Sequence, residues 1–266
     1  MPGQGPDGPL GDTPGDDEVR RAREAVHETC LRMVADRLVV GSAGNVSVRV
    51  GATHAVVTAG GVPYDKLSAA DHPVIDLRDG AVVAAFGGRL PTSEIALHVA
   101  ILRARPAVRA AADADDADDA DDAHDADAAL DAVDAIVHTH SRHAAAFSVA
   151  RIDLPFVLNE NIGPRTERVL VTAPYAPPGS TDLGATTLAT LDRQPGSRAC
   201  LLANHGVVAV ARDLDTAYLI AAQWEWLAEV TYLARTLGGE HVLTAEQQDA
   251  IGRNYRFTVG RERPTN

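Results

Sequence analysis

Three histidines in this sequence are placed where a metal site could form. His138 and His140 are separated by one threonine at the end of an apolar run, in the segment "AIVHTHSRHAAAF". Residues i and i+2 of a strand point the same way, so both imidazoles would project from one side of a strand end. His205 follows a second apolar run, in "LLANHGVV". Three neutral imidazoles with one open position describe a catalytic zinc site, and imidazole also suits other divalent transition metals.

Spacing alone leaves a structural interpretation of these histidines open. A single histidine at a turn, such as His205, is more often structural than a metal ligand. The "HTH" pair is better placed for chelation, but spacing does not show that the three side chains meet. Of the other histidines, His143 could line the mouth of such a site.

The segment "PTSE" stands at the start of a predicted helix, and two interpretations apply to it. Thr92 or Ser93 could cap the helix, with Glu94 favoured by the positive end of the helix dipole. The same hydroxyl-bearing helix start could instead bind a phosphate, aided by Asn45 in "GNVS" and by backbone amides in "TAGG". Glu94 would then be a carboxylate beside the metal, able to carry a proton. His98, one helical turn later, either supports Glu94 or has a structural role.

The elements that would position these residues mix helical and strand patterns along the chain. Helices are predicted over residues 18–38, 91–106, 141–150, 180–192, 213–237 and 244–255. Strands are predicted over residues 41–50, 54–60, 74–77, 81–86, 134–138 and 168–175, with two more meeting at the Asn-His-Gly turn of residues 199–211. We expect an α/β fold, a three-layer α/β/α domain with a central mixed, largely antiparallel sheet.

Composition divides the chain into a tail, one domain and an insertion. Residues 1–17 are rich in Pro, Gly and Asp and predict a disordered N-terminal tail, whereas residues 18–260 predict a single domain. Residues 112–134 form an acidic Asp/Ala low-complexity insertion, whose repeat has too little apolar surface to offset the entropy of ordering. A solvated surface segment is favoured there over cation binding, because the repeat has no defined ligand-loop pattern.

The formal net charge of −13 says little about binding partners. Eleven aspartates between Asp113 and Asp134 account for all but two of these charges, so the rest of the chain is close to neutral. There is no basic stripe and aromatic residues make up only 4%, which argues against nucleic-acid binding. The sequence shows neither a bilayer-spanning apolar run nor a secretory signal, and Cys30 and Cys200 do not form a disulfide framework. We therefore expect a cytoplasmic protein with no membrane contact.

In their order along the chain, these motifs resemble those of the class II aldolase and adducin family. The resemblance spans roughly Cys30 to Leu237. The matching segments are "GNVSVR", "TAGGVPYDKL", "PTSEIALHVAILRARPAV", "AIVHTHSRHAAAFS", "VTAPYAPPGS" and "LLANHGVVAVARDLDTAYLIAAQWEWLAEV".

The resemblance implies an aldehyde-lyase that uses a bound metal. It implies Zn²⁺, or another divalent transition metal, bound by His138, His140 and His205. Glu94 would be the catalytic acid/base and could also ligate the resting metal. The implied reaction is retro-aldol cleavage of a short ketose 1-phosphate, of the fuculose 1-phosphate type, to dihydroxyacetone phosphate and an aldehyde.

The resemblance also implies how the substrate is held and how the chain assembles. The substrate phosphate would be bound by Asn45, Gly61, Thr92 and Ser93. The partner would be a small-molecule sugar phosphate, and the protein would be a cyclic homotetramer with its sites at subunit boundaries.

Three positions depart from the family pattern. Gly60 stands where a hydroxyl residue is usual beside the matching glycine, and Thr92 replaces a more common serine. Asn159, followed by Glu160, occupies the place of a tyrosine that protonates the leaving oxygen, and Tyr255 is a candidate counterpart of a second catalytic tyrosine. These differences leave a 4-epimerase, a dehydratase or a decarboxylase of the same family open, and also a non-catalytic adducin-like interaction module.

Overall fold

The central feature of the fold is one mixed sheet, seen in a computed structural model that describes residues 14–105, 133–159, 169–194 and 197–251. Within these ranges, eight strands join in the order β4-β3-β2-β1-β5-β10-β9-β8, and β6 pairs separately with β7. Neighbours in the large sheet are antiparallel except β8 and β9, which confirms the predicted sheet. The strands are β1 Asn45–Val50, β2 His54–Val57, β3 Val74–Asp76, β4 Val82–Ala84, β5 Ala135–Thr139, β6 Leu154–Pro155, β7 Val169–Leu170, β8 Thr172–Ala173, β9 Ala199–Leu202 and β10 Gly206–Ala211.

Helices cover both faces of this sheet and complete the predicted α/β/α layers. Helices α1, α3 and α5 share one buried apolar cluster with one face, and α2 and α4 share a second cluster with the other face. A further helical segment at residues 245–251 lies within the predicted final helix. The helices are α1 Asp16–Ala35, α2 Ile95–Ala104, α3 Arg142–Ala150, α4 Thr181–Asp192 and α5 Leu214–Thr236.

The alternation of side chains along β5 decides where its histidine points. Ala135 and Val137 belong to the cluster of α1, α3 and α5, whereas Ile136 belongs to the cluster of α2 and α4. Because successive strand residues face opposite sides of a sheet, His138 is directed to the same side as Ile136. The end of β5 therefore presents an imidazole towards α2.

Two of the predicted helix starts need correction. Helix α1 begins two residues before the predicted start, at Asp16, and its N-cap is Gly15. The N-cap of α2 is Glu94, so the prediction of a Thr92 or Ser93 cap is wrong. The Thr92 hydroxyl instead accepts a hydrogen bond from the Glu94 N–H, at 3.3 Å. This leaves the Glu94 side chain free to turn inward.

An arginine with a largely buried side chain joins the two chain ends that flank the acidic insertion. Arg49 Nε donates to Asp134 Oδ1 at 2.7 Å, and a second nitrogen of the same guanidinium donates to the carbonyl oxygen of Leu102. Beside it, the Val133 N–H donates to Arg105 O at 3.1 Å. The end of α2 and the start of β5 are therefore held together directly.

Some of the sequence predictions fall outside the described residues. These are residues 1–13 of the predicted tail, most of the acidic insertion, Glu160 and Tyr255. Among the helices that are described, none combines the length and the apolar character needed to cross a membrane.

Two glycines let the neighbouring strands approach the end of β5. A Cβ on Gly206 would lie 2.0 Å from Thr139 O, and a Cβ on Gly44 would lie 2.7 Å from His138 O. Gly44 also has a φ of +75°, which favours glycine. In the resulting register, Asn45 on β1 and Val208 on β10 both pair with His138. The strand end that carries the "HTH" motif is thus enclosed by backbone from both sides.

We predict that Gly206→Ala destabilises the protein by about 1–3 kcal/mol, because the added methyl group must push β10 away from β5. Urea unfolding followed by circular dichroism measures the change. Gly15→Ala is the matched control, since no described residue other than its chain neighbours has an atom within 4 Å of its Cβ position, and it should cost less than about 1 kcal/mol. Equal stability of the two variants would show that the strand contact is not a constraint.

Candidate active site

The three histidines singled out from the sequence meet at one point of the structure. His138 is the penultimate residue of β5, His140 follows the strand directly, and His205 lies in the turn between β9 and β10. The Nε2 atom of His138 is 2.9 Å from that of His140 and 3.3 Å from that of His205. His138 is fully buried, and the other two imidazoles are partly buried.

Glu94 completes this group from the other side. Its Oε2 lies 3.2 Å from His138 Nε2, and its Oε1 lies 3.2 Å from His205 Nε2. The four potential ligand atoms of Glu94, His138, His140 and His205 all lie within 4.8 Å of one another. Four ligand-type side chains from three distant parts of the sequence therefore face one small volume.

The chemistry of these donors fits a divalent metal ion. His138 Nδ1 lies 2.8 Å from Val207 O, which can only accept, so Nδ1 carries a proton and Nε2 is the ring atom directed at the group. Glu94 Oε1 is buried, and no described residue donates a hydrogen bond to it. Tetrahedral zinc with nitrogen ligands at about 2.0–2.1 Å requires ligand separations of about 3.4 Å. The observed spacings between Nε2 atoms are close to this value.

Burial and mutual proximity keep the ligand groups in their metal-binding forms. Burial, together with the neighbouring imidazoles, lowers the pKa of His140 to about 3 and that of His205 to about 4. Burial alone would raise the pKa of Glu94, but His138, His205 and the Asn45 amide together bring it well below its ordinary value. Neutral imidazoles beside an ionised carboxylate form the donor set that binds a cation.

Three of the four residues predicted to bind a phosphate, namely Gly61, Thr92 and Ser93, lie on two adjoining segments. Ala59 forms a β-bridge with Pro91, and the Thr92 N–H donates to Thr58 O at 2.9 Å, so the "TAGG" loop lies against "PTSE". The Ser93 side chain is exposed, whereas that of Thr92 is buried. Gly61 has a φ of +72° and open space around its Cβ position.

The glycine at position 60, where the family pattern has a hydroxyl residue, is explained by steric hindrance. A Cβ on Gly60 would lie 2.7 Å from Pro91 O. In this arrangement the loop has no room for a hydroxyl side chain at that position.

Asn45 has contacts that differ from the predicted ones. Its Nδ2 donates to Glu94 Oε2 at 2.7 Å, and its Oδ1 is 2.5 Å from His98 Nε2. The side chain is thus directed at the carboxylate in this structure. His98 in turn contacts Ser47, which lies two residues after Asn45 on the same face of β1. Sequence reasoning did not single out Ser47, although two polar residues at i and i+2 of a buried strand were a usable signal.

Two further residues named from the sequence lie apart from this group of contacts. The Nδ1 of His143 is 2.8 Å from Glu225 Oε1, and the Glu225 carboxylate also accepts the N–H groups of His143 and Ala144. This glutamate therefore ties the start of α3 to α5. Asn159, which replaces an expected tyrosine, is exposed.

Comparison with known proteins gives consistent matches along the chain. The family model described as "Class II Aldolase and Adducin N-terminal domain" matches residues 24–112 and 125–232. The 5-deoxy-D-ribulose 1-phosphate aldolase of Bacillus thuringiensis is 26% identical over 89% of this chain and 96% of its own length. The L-fuculose phosphate aldolase of Escherichia coli K12 is 30% identical over 80% of this chain and 83% of its own length.

The fold gives the same result. A solved structure of an L-fuculose 1-phosphate aldolase superposes with a TM-score of 0.71 at 25% identity, covering 91% of this chain and 98% of the other. The family match is interrupted at residues 113–124, inside the segment whose composition predicted an insertion. From its sequence, its fold and its matched relatives, the chain belongs to the class II aldolase and adducin family.

Proposed function

We propose that the protein is a zinc-dependent aldolase that cleaves a short ketose 1-phosphate to dihydroxyacetone phosphate and an aldehyde. The observation that carries this proposal is the convergence of an ionised, partly unsatisfied Glu94 carboxylate on three imidazole Nε2 atoms. The names of the relatives support the substrate class, since both act on ketoses with a phosphate group. A non-catalytic scaffold would have no use for such a buried donor set.

The imidazoles of His138, His140 and His205 would hold the metal, with Glu94 as a candidate fourth ligand. A divalent ion bound there supplies Lewis-acid polarisation of the substrate carbonyl. Cleavage of the bond between C3 and C4 leaves negative charge at C3 of the dihydroxyacetone phosphate portion. We assign to Glu94 the transfer of the proton to and from that carbon, because its Oε1 receives no hydrogen bond from a described residue.

The second half of the proposed site binds the phosphate and fixes the substrate. The Gly61 backbone and the hydroxyl groups of Thr92 and Ser93 are the proposed contacts, at the start of α2. Asn45 Nδ2 carries two protons, and the one that is not donated to Glu94 is available to the phosphate. Such remote contacts lower the barrier by orienting the reacting carbons beside Glu94.

We infer that the active protein is a homotetramer. An apolar stripe on α5 supports self-association: Leu219, Trp226 and Leu233 are spaced by seven residues, and all three are exposed. Sedimentation equilibrium of the full chain should give four times the chain mass. A monomer at micromolar concentration would contradict this inference.

We predict that zinc-loaded protein releases dihydroxyacetone phosphate from at least one member of a panel of ketose 1-phosphates. The panel should include L-fuculose 1-phosphate and 5-deoxy-D-ribulose 1-phosphate, and a coupled glycerol-phosphate dehydrogenase assay measures release. Chelation should abolish the activity and added Zn²⁺ should restore it, because the proposed cleavage needs the metal to polarise the substrate carbonyl.

Failure of this prediction has two distinct forms. If one Zn²⁺ binds per chain and no substrate is cleaved, the same metal site would serve an epimerase, a dehydratase or a decarboxylase, which product analysis would identify. If no metal binds at all, the adducin-like interaction module becomes the better hypothesis.

We predict that Glu94→Gln slows exchange of the C3 proton of dihydroxyacetone phosphate in D₂O at least about 100-fold, the usual range for loss of a general acid or base. Proton NMR of dihydroxyacetone phosphate incubated with the enzyme measures the exchange. Metal content should stay near one per chain, because glutamine keeps an oxygen ligand. Glu24→Gln, an exposed carboxylate on α1, is the matched control and should exchange at the wild-type rate. Wild-type exchange by Glu94→Gln would remove this residue from the proton transfer.

A further inference from the structure

A line of four buried polar side chains runs from the core of the sheet to the candidate active site. Ser47 Oγ lies 2.6 Å from His98 Nδ1, His98 Nε2 lies 2.5 Å from Asn45 Oδ1, and Asn45 Nδ2 lies 2.7 Å from Glu94 Oε2. Ser47 and His98 are fully buried, and Asn45 and Glu94 are 3% and 4% exposed. The line crosses from β1 to α2 and back before it ends at the carboxylate.

The chemistry of these groups fixes the direction of every hydrogen bond in the line. An ionised carboxylate only accepts, so Asn45 must present its NH₂ group to Glu94 and its carbonyl oxygen to His98. That oxygen also only accepts, so His98 Nε2 must carry the proton. Burial lowers the pKa of His98 to about 3, so the ring is neutral and its Nδ1 is an acceptor. The Ser47 hydroxyl is therefore the donor to Nδ1.

We propose that Ser47 and His98 are positioning residues that set the orientation of the Asn45 amide, and through it the Glu94 carboxylate. Without a donor at His98, the Asn45 amide could rotate by half a turn and place its oxygen against Oε2. With the donor present, Asn45 holds Oε2 by a hydrogen bond and leaves Oε1 without one. The two carboxylate oxygens thus differ, with Oε1 directed towards His205 and available for a metal or a proton.

The expected change in kcat and KM rests on the proposed function, whereas the expected change in metal affinity does not. Residues that orient a ligand typically change metal affinity or activity by about 10- to 100-fold when they are removed. A core histidine with a purely structural role would instead change stability alone. The test therefore measures Zn²⁺ affinity by competition with a chromogenic chelator, alongside kcat and KM for cleavage.

Three variants and one control separate the two roles. His98→Leu removes the donor at similar volume and should weaken Zn²⁺ binding about 10- to 100-fold, with kcat falling more than KM rises. His98→Gln keeps a side-chain N–H and should recover most of both losses. Ser47→Ala removes the donor to His98 Nδ1 but keeps the Nε2–H that holds Asn45, and should show a smaller loss. Ile101→Val, a buried change on the same helix away from the polar line, should lower stability and leave Zn²⁺ affinity unchanged.

A spectroscopic measurement tests the line in the absence of any activity. The ¹⁵N NMR signals of the His98 ring should report one tautomer, protonated at Nε2, in the wild-type protein, and the Nδ1 signal should shift in Ser47→Ala because its hydrogen bond is lost. The proposal fails if His98→Leu binds Zn²⁺ like the wild type, if His98→Gln is as impaired as His98→Leu, or if the ring is protonated at Nδ1. Should His98→Leu not fold, Ser47→Ala decides the question by the same measurements. Absence of aldolase activity in the wild type would count against the proposed function and leave these readouts intact.

Discussion

Neutral imidazoles and an ionised carboxylate, held together out of water, are the arrangement on which the rest of the structure depends. Removing a carboxylate from water is costly unless it is paired or hydrogen-bonded, and Glu94 has one oxygen that receives no hydrogen bond from a described residue. The Asn45 amide reduces the desolvation cost of the other carboxylate oxygen by donating a hydrogen bond to it. The carbonyl oxygen of Val207 fixes the orientation of the His138 ring. The charge that remains uncompensated is of the kind that a cation neutralises. The fold therefore directs all four donors at one small volume.

The fold serves this arrangement by bringing the ends of three strands together. β5 lies between β1 and β10, and its last residues are approached by the backbone at Gly44 and Gly206. The start of α2 then adds Glu94 from the opposite side and His98 one turn later. The same segment carries Thr92 and Ser93, so one short stretch of chain links the proposed phosphate contacts to the proposed acid/base.

Much of this could be predicted from the sequence because its signals are local. The "HTH" spacing places two imidazoles on one face of a strand, and apolar periodicity locates the strands and helices on either side. What escaped prediction depends on contacts between distant segments. The partner of the Asn45 amide is set by β1 lying opposite α2, which spacing within one segment cannot reveal. The prediction for the cap of α2 is wrong for a similar reason. The Glu94 side chain contacts His138 and Asn45, which come from other segments, and makes no capping hydrogen bond to its own helix.

The hydrogen bonds of Arg49 to Asp134 and Leu102 hold the end of α2 beside the start of β5. The position of the site residues on these two elements therefore depends little on the chain that connects them. Because Arg49 bonds both Asp134 and Leu102, and Val133 bonds Arg105, the two flanking elements are held together by contacts that do not involve the connecting segment. The entropy of closing a loop grows only with the logarithm of its length, so each doubling costs about 0.6 kcal/mol. The segment between residues 105 and 133 is thus a place where the gene can lengthen, shorten or change composition with little selection from the chemistry. A low-complexity acidic repeat can accumulate at this point because the contacts between α2 and β5 do not depend on its sequence.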